Sequence, residues 1–402
     1  MKSIKEKNNL RIYRQNSFAG TLSRTADGCV FKFEPDFLTD PNFKELSFAI
    51  PKNHAPIAIS GINLHPFFAG LLPEGLRLKT ILTNLKTSAD DLFSLFAATG
   101  AGAIGDVYVK TELDIKKTFE ASQLKKIDFY DYFLKLTKSN PYAKGEDSIA
   151  GVQEKVSASM ISFPLNIAKK NKSYILKLNP KDKPNLVENE LYCMKLAAKC
   201  KIKTAVVKIV TDKNSAKGLL VERFDRIWDH DLNRFQKIHQ EDACQILNIY
   251  PSEKYRVSIN DIATGLKPVV SSDLVSLSKL IQLMAFSYLI GNGDLHAKNI
   301  SVLSTAEGFT DLTPAYDLIC TLIYGDAKMA LKLDGKDDNL KRKVFIDFGK
   351  RFGVSDLIIN KMLDQLTKDF LKNYQLLKEI PMSEKNWVFL QKTITKRLKD
   401  LS

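Results

Sequence analysis

The chain has 402 residues, 44% of them hydrophobic, which is length enough for two or three units with cores of their own. It carries 60 Lys and Arg against 46 Asp and Glu, a net charge of +14, and half of that excess lies from Lys341 onward. The late lysines are spread over helical patterns at 357–377 and 387–401, so they read as solvated helix faces rather than a DNA-binding stripe. No stretch of membrane-spanning length is free of charge, and the opening Met-Lys-Ser-Ile-Lys-Glu-Lys has no apolar signal core; a cytoplasmic protein without membrane contact is expected. The five cysteines (Cys29, Cys193, Cys200, Cys244 and Cys320) form no C-x-x-C pair and have no nearby histidines, which argues against a zinc site or a disulfide framework and leaves reduced core residues.

In chain order, residues 10–14, 18–22 and 29–33 alternate as strands, with Asp27-Gly28 as a hairpin turn. Helical patterns follow at 66–85 and 90–98, and a strand at 107–109 closes an amino-terminal module, residues 1–110. Within it, Gly100-Ala-Gly-Ala-Ile-Gly-Asp-Val107 satisfies the dinucleotide fingerprint and a kinase glycine-loop pattern. A helix precedes it and a strand follows, the reverse of the dinucleotide unit, so it reads as a tight turn. A charged connector, 110–144, leads into a second unit (111–235) with strands at 156–162, 174–178, 205–210 and 218–224 and a helix opened by Glu190. Before the first of these strands stands Ser148-Ile-Ala-Gly-Val-Gln-Glu-Lys155, with one glycine, free amides and a lysine; a phosphate loop and an ordinary connection are both compatible with that composition. From about Gln240 the pattern is mainly helical, giving a third unit, 236–402. The expected class is α+β: a β-rich amino-terminal lobe with an extra subdomain, then a larger helical lobe, the bilobal protein-kinase-like division.

The most informative segment is Gly291-Asn-Gly-Asp-Leu-His-Ala-Lys-Asn299, followed by Pro314-Ala-Tyr-Asp317. An apolar helix over 273–289, capped by Ser272 or Asp273, is ended by Gly291 and Gly293, so 294–299 is a loop. A hairpin around 305–308 then returns Asp317 to the side of Asn299. Phosphoryl transfer from Mg-ATP needs one carboxylate to orient the attacking hydroxyl and oxygen ligands to hold magnesium. Asp294 fits the first role, and Asn299 with Asp317 fits the second. In the strand at 174–178, alternation puts Ile175 and Lys177 on one face; an inward lysine needs an anion, which phosphate oxygens and an ion pair with Glu190 would supply. The plain alternative makes Lys177 an edge-strand charge and Glu190 a first-turn acid facing the helix dipole. Position alone makes 219–224 the hinge, where backbone groups of Glu222 and Phe224 would meet adenine.

These residues resemble the HipA family of bacterial toxin serine/threonine kinases over nearly the full chain. The carrying segments are Glu45-Leu-Ser-Phe-Ala-Ile-Pro51, Phe67-Phe-Ala-Gly-Leu-Leu-Pro-Glu74, the 148–155 loop, Val221-Glu-Arg-Phe-Asp-Arg226, Gln240-Glu-Asp-Ala-Cys-Gln245, Gly293-Asp-Leu-His-Ala-Lys-Asn299 and Thr313-Pro-Ala-Tyr-Asp317. The resemblance implies Asp294 as the catalytic aspartate, Lys177 as the ATP lysine paired with Glu190, and Asn299 and Asp317 at magnesium. It also implies His296 near the phosphates, and Ala150, Gly151, Val152, Gln153, Glu154 and Lys155 around ATP. Ser148 matches the family's autophosphorylated serine, where added negative charge displaces the loop from the nucleotide phosphates. As partners it implies a HipB-like helix-turn-helix antitoxin, DNA only indirectly through that antitoxin, and a protein substrate in translation, such as an aminoacyl-tRNA synthetase. Leu295 departs from the glycine of several members and makes Gly-Asp-Leu-His-x-x-Asn look like the aminoglycoside and choline kinases. Those enzymes lack the amino-terminal module. A catalytically silent co-repressor is the third reading, opposed by intact Lys177, Asp294, Asn299 and Asp317.

Overall fold

Alternating apolar residues build the first sheet. In the computed structural model, which describes residues 8–61, 64–110, 118–119, 121–138, 160–167, 171–180, 183–305 and 307–402, β1 (Asn9–Arg14) buries Leu10, Ile12 and Arg14 and leaves the residues between them more open. It pairs antiparallel with β2 (Ser17–Thr25), which pairs with β3 (Gly28–Phe33). The turn residues are Ala26 and Asp27, one position earlier than expected, because Gly28 pairs with Thr25. A Cβ at Gly28 would lie 2.0 Å from the Ile59 carbonyl, so only glycine admits the neighbouring strand there. After α1 (Pro35–Thr39), the short ribbon β4 (Glu45–Ser47) and β5 (Ile50–Pro51) precedes β6 (Ile57–Ser60). The expected helix at 66–85 is two, α2 (Pro66–Gly70) and α3 (Gly75–Leu85). Pro73 has no N–H to give and restricts Leu72, so the helix breaks and residues 71–74 form a loop. After α4 (Leu92–Thr99), β7 (Val107–Val109) returns to β1, completing the sheet order β6-β3-β2-β1-β7 over its own core.

The connector expected at 110–144 contains β8 (Thr118–Phe119) and α5 (Phe129–Lys138). Phe129, Tyr132 and Phe133 follow helical spacing and are buried, which charge counting had hidden. The second sheet has the order β11-β12-β10-β9-β8, with β9 (Ile161–Ile167), β10 (Lys172–Leu178), β11 (Val207–Thr211) and β12 (Lys217–Glu222). Of the strand expected at 156–162, residues 156–159 lie outside the described residues; β9 is described from Ile161 and continues to Ile167, with Ile161, Phe163 and Leu165 packing with α5. Between β10 and β11 lies α6 (Leu186–Lys199). Tyr174, Leu176 and Leu178 face the core under α5, while Ile175 packs on the opposite side against the core containing α6. β13 (Arg226–Asp229) and β14 (Arg234–Lys237) add a hairpin not expected from the pattern.

β15 (His239–Asp242) opens the helical unit, followed by α7 (Ala243–Ile246) and α8 (Ile259–Leu266). α9 (Asp273–Ile290) is its central helix, with Leu277, Leu280, Ile281, Met284, Phe286, Tyr288 and Leu289 all buried. Among the described residues it alone is long and apolar enough to cross a membrane, and two thirds of it is buried within the protein, as a core helix is. The hairpin of β16 (Ser301–Ser304) and β17 (Thr310–Leu312) pairs with β15. α10 (Arg342–Arg351), α11 (Asp356–Asn373) and α12 (Glu384–Leu401) pack around α9. All five cysteines are buried and none is in a disulfide, and burial raises the Cys200 thiol to about 12. The α+β, two-lobed expectation with an extra amino-terminal unit therefore holds.

Candidate active site

The 291–299 loop is held both by bonds within itself and by bonds from neighbouring segments, among them Gly293 N–H to Thr321 Oγ1 at 2.6 Å. Gly291 caps α9 in the left-handed conformation, φ 72°, which glycine adopts without strain. The Asn292 Oδ1 accepts the Asp294 N–H at 3.0 Å, and Asn299 Nδ2 donates to the Asp294 carbonyl at 3.1 Å. That bond turns the amide nitrogen of Asn299 toward the loop and leaves its oxygen as the group available for a cation. A Cβ at Gly293 would meet the Lys328 carbonyl at 2.5 Å, so the second glycine is required by close approach. On the far side of the hairpin, the Tyr316 hydroxyl donates to the Lys298 carbonyl at 2.8 Å, fixing the segment that carries Asp317 against the loop. Asp317 itself has φ 56°.

Lys177 joins the two lobes. Its Nζ donates to both carboxylate oxygens of Glu190, at 2.8 and 2.9 Å, and to Asp317 Oδ1. The Glu190 side chain is fully buried, whereas that of Asp317 keeps 30% of its surface exposed, so Glu190 is the internal partner and Asp317 opens to the cavity. Burial works against the Lys177 charge, but the Asp317 and Glu190 carboxylates outweigh it and hold its pKa well above the usual lysine value. α6 begins at Leu186 and not at Glu190, as expected from sequence, because Asn185 takes φ 68° as the cap. Glu190 therefore sits in the second turn, Glu188 is the first-turn acid, and the dipole explanation of Glu190 loses its ground.

A cavity of about 290 Å³ opens beside Lys177, Asn299 and Asp317. Ile175, Lys177, Val221, Glu222, Phe224, His296, Asn299, Tyr316 and Asp317 line it from the two lobes, and Gly70, Glu74, Arg77 and Ala103 from the amino-terminal module. The Glu222 N–H is committed to the Val206 carbonyl at 2.8 Å, and its side chain to Lys172. Of the expected residues, Lys177, Glu222, Phe224, His296, Asn299 and Asp317 line the cavity; Glu190 is buried behind Lys177, and Asp294 is buried beside Asn299, which bonds its carbonyl, and does not line it. Ser148, Ala150, Gly151, Val152, Gln153, Glu154 and Lys155 lie outside the described residues. A neutral amide oxygen and a carboxylate are the hard donors that magnesium takes, so Asn299 and Asp317 fit that ion.

Sequence reasoning missed how the amino-terminal module is attached. The Gly100–Val107 turn docks on the segment after β12: Gly105 N–H donates to Asp225 Oδ2 at 2.9 Å, and Arg226 donates to the Gly105 and Ala103 carbonyls, each at 2.8 Å. Arg223 reaches Ala103 O at 3.2 Å and pairs with Asp225. Both arginines press the buried Asp225 carboxyl far below its usual range against the cost of burial. Lys298 binds the Gly70 carbonyl at 2.9 Å and Asp242 at 2.6 Å; Gln245 binds the Phe67 carbonyl at 3.1 Å; Glu241 accepts the Phe48 N–H at 2.8 Å. Tyr255 was also overlooked. Its hydroxyl donates to Asp294 Oδ1 at 2.7 Å and its ring meets His296 edge-on, centroids 5.0 Å apart.

The chain is similar to known proteins. The HipA N-terminal domain model matches residues 10–110 and the HipA-like C-terminal domain model matches residues 147–374. A putative kinase of Sinorhizobium fredii, Y4mE, is 30% identical over 81% of this chain and 80% of its own. The serine/threonine-protein kinase toxin HipA of Shewanella oneidensis is 29% identical over 68% of this chain and 67% of its own. The fold matches the HipA chain in the Shewanella oneidensis complex of HipA, HipB and operator DNA with a TM-score of 0.72, at 24% identity, over 98% of this chain and 96% of that one. Matched in both its domains and over most of its length, the chain belongs to the HipA family of kinases.

Proposed function

We propose that this protein is a Mg-ATP-dependent serine/threonine protein kinase that transfers the γ-phosphate to a serine of a protein in translation, of the aminoacyl-tRNA synthetase kind. The observation that carries the reading is the buried Lys177–Glu190 pair opening onto Asp317 in the cavity shared with Asn299 and His296. Lys177 would hold nucleotide phosphates, the Glu222 carbonyl and the Phe224 N–H would face adenine, and Asn299 and Asp317 would hold magnesium. Bound magnesium supplies charge neutralisation for the transferring phosphate; the Asp294 carboxylate orients the acceptor hydroxyl and takes its proton. Ser148, in a loop with the family's sequence, would accept phosphate as an off-switch. A HipB-like antitoxin is the expected partner, since the similar Shewanella oneidensis chain assembles with HipB and operator DNA; DNA would be reached only through it.

The test is transfer of labelled γ-phosphate from Mg-ATP. Wild type is expected to label Ser148 and then slow, while Ser148→Ala continues to transfer to an added acceptor protein. An equal decline in both would refute the switch, and no transfer by either would refute the kinase assignment.

A further inference from the structure

Two consecutive residues, Lys254 and Tyr255, touch the amino-terminal module and the catalytic carboxylate respectively. Lys254 Nζ lies 2.7 Å from Glu74 Oε2, in the loop that Pro73 creates between α2 and α3. The Lys254 carbonyl accepts the Ala297 N–H of the catalytic loop at 3.1 Å. The Tyr255 hydroxyl donates to Asp294 Oδ1 at 2.7 Å. Burial and then the Asp294 carboxylate raise the pKa of this phenol, so it stays protonated and can only donate its proton to the aspartate. Nearby, the Tyr250 hydroxyl donates to the Leu64 carbonyl at 3.0 Å, anchoring the same segment to the module at a second point.

We propose that Glu74, Lys254 and Tyr255 form a positioning relay through which the amino-terminal module sets the orientation of Asp294. A carboxylate free to rotate presents either oxygen to an acceptor. Here Oδ1 is held by the Tyr255 hydroxyl, which fixes how the carboxylate is turned. Glu74 holds Lys254, and with it the neighbouring Tyr255 ring, in the position that makes this bond. The relay gives the extra module a catalytic reason to be attached beside the site, since misplacement of a reacting group by about 1 Å costs on the order of 100-fold in rate. The inference rests on the assignment of Asp294 as the acceptor-orienting carboxylate.

The test uses the full chain with Tyr255→Phe, which keeps the ring and removes the hydroxyl, and Glu74→Gln, which keeps the size and removes the charge. Two readouts are taken: kcat and KM for γ-phosphate transfer, and hydrogen exchange of the amides in residues 291–299. Tyr255→Phe is expected to lower kcat by about tenfold to about 100-fold with KM for ATP within about twofold. Glu74→Gln is expected to lower kcat by less, the double variant to be no worse than Tyr255→Phe, and loop exchange to quicken in each. Wild-type kcat and wild-type exchange in Tyr255→Phe, or fully additive losses in the double variant, would overturn the relay. No phosphate transfer by wild type would instead overturn the kinase assignment and the relay with it, an outcome distinct from active wild type with an unaffected Tyr255→Phe, which overturns the relay alone.

Discussion

Replacing His239 by glutamine should remove most of the alkaline pH dependence of this protein's stability. His239 is buried between the module and the helical unit, its Nδ1 2.7 Å from Asp106 Oδ1 and its Nε2 2.8 Å from Glu241 Oε1. Arg14 reaches the other oxygen of Asp106 at 3.2 Å, and the Phe48 ring meets the imidazole edge-on. Burial disfavours the imidazolium and Arg14 opposes it, but Asp106, with the hydrogen bonds of Asp106 and Glu241, raises the pKa from 6.5 to about 9. A folded pKa above the unfolded one stabilises fully below pH 6.5, and the contribution disappears as pH rises through about 9. The rise is worth about 3 kcal/mol at most, and the depressed pKa of Asp106 reflects the same pair, so it is not counted again. Urea unfolding from pH 6 to pH 10 should show that loss in wild type and a nearly flat, lower stability in His239→Gln. A flat wild-type profile, or a slope unchanged in the variant, would refute the reasoning.

Lys177→Met leaves the fully buried Glu190 beside Asp317 without the cation that pairs them, so it should cost about 3–5 kcal/mol as well as ATP affinity; calorimetry with ATP and denaturant titration measure the two separately. Because Gly105 has φ 78° and a Cβ there would stand 2.9 Å from the Gln240 carbonyl, Gly105→Ala should destabilise by about 1–3 kcal/mol and loosen the module first, which limited proteolysis of the 1–110 unit would detect.

Much of the site was legible because its parts are short-range patterns. The glycines that end α9, the five-residue step from Asp294 to Asn299 and the hairpin that returns Asp317 are each set by neighbouring residues, and the alternation in β10 gave the inward face of Lys177. Tyr255 and Lys254 sit in irregular chain where no period marks them, and their partners Asp294 and Glu74 are 39 and 180 residues away. The Gly100–Val107 segment forms a turn, and its residues Gly102, Ala103 and Ile104 line the cavity; its use as the dock for Arg223 and Arg226 depends on a tertiary contact across 120 residues. Two misreadings did have local cues. Pro73 marks the break between α2 and α3, and Pro184-Asn185 marks the start of α6 four residues before Glu190. The family resemblance of segments such as 45–51, 67–74, 221–226 and 240–245 also gains a physical sense, since their residues make many of the contacts that fix the module to the lobes.

The central claim, that Lys177, Asp294, Asn299 and Asp317 transfer phosphate from ATP, is tested most directly by the intact mass of the purified chain after incubation with Mg-ATP, beside an Asp294→Ala control. A gain of one phosphate in wild type alone, mapping to Ser148, is the outcome expected. No gain in a chain purified unphosphorylated and shown to bind ATP, or an equal gain in Asp294→Ala, would contradict it.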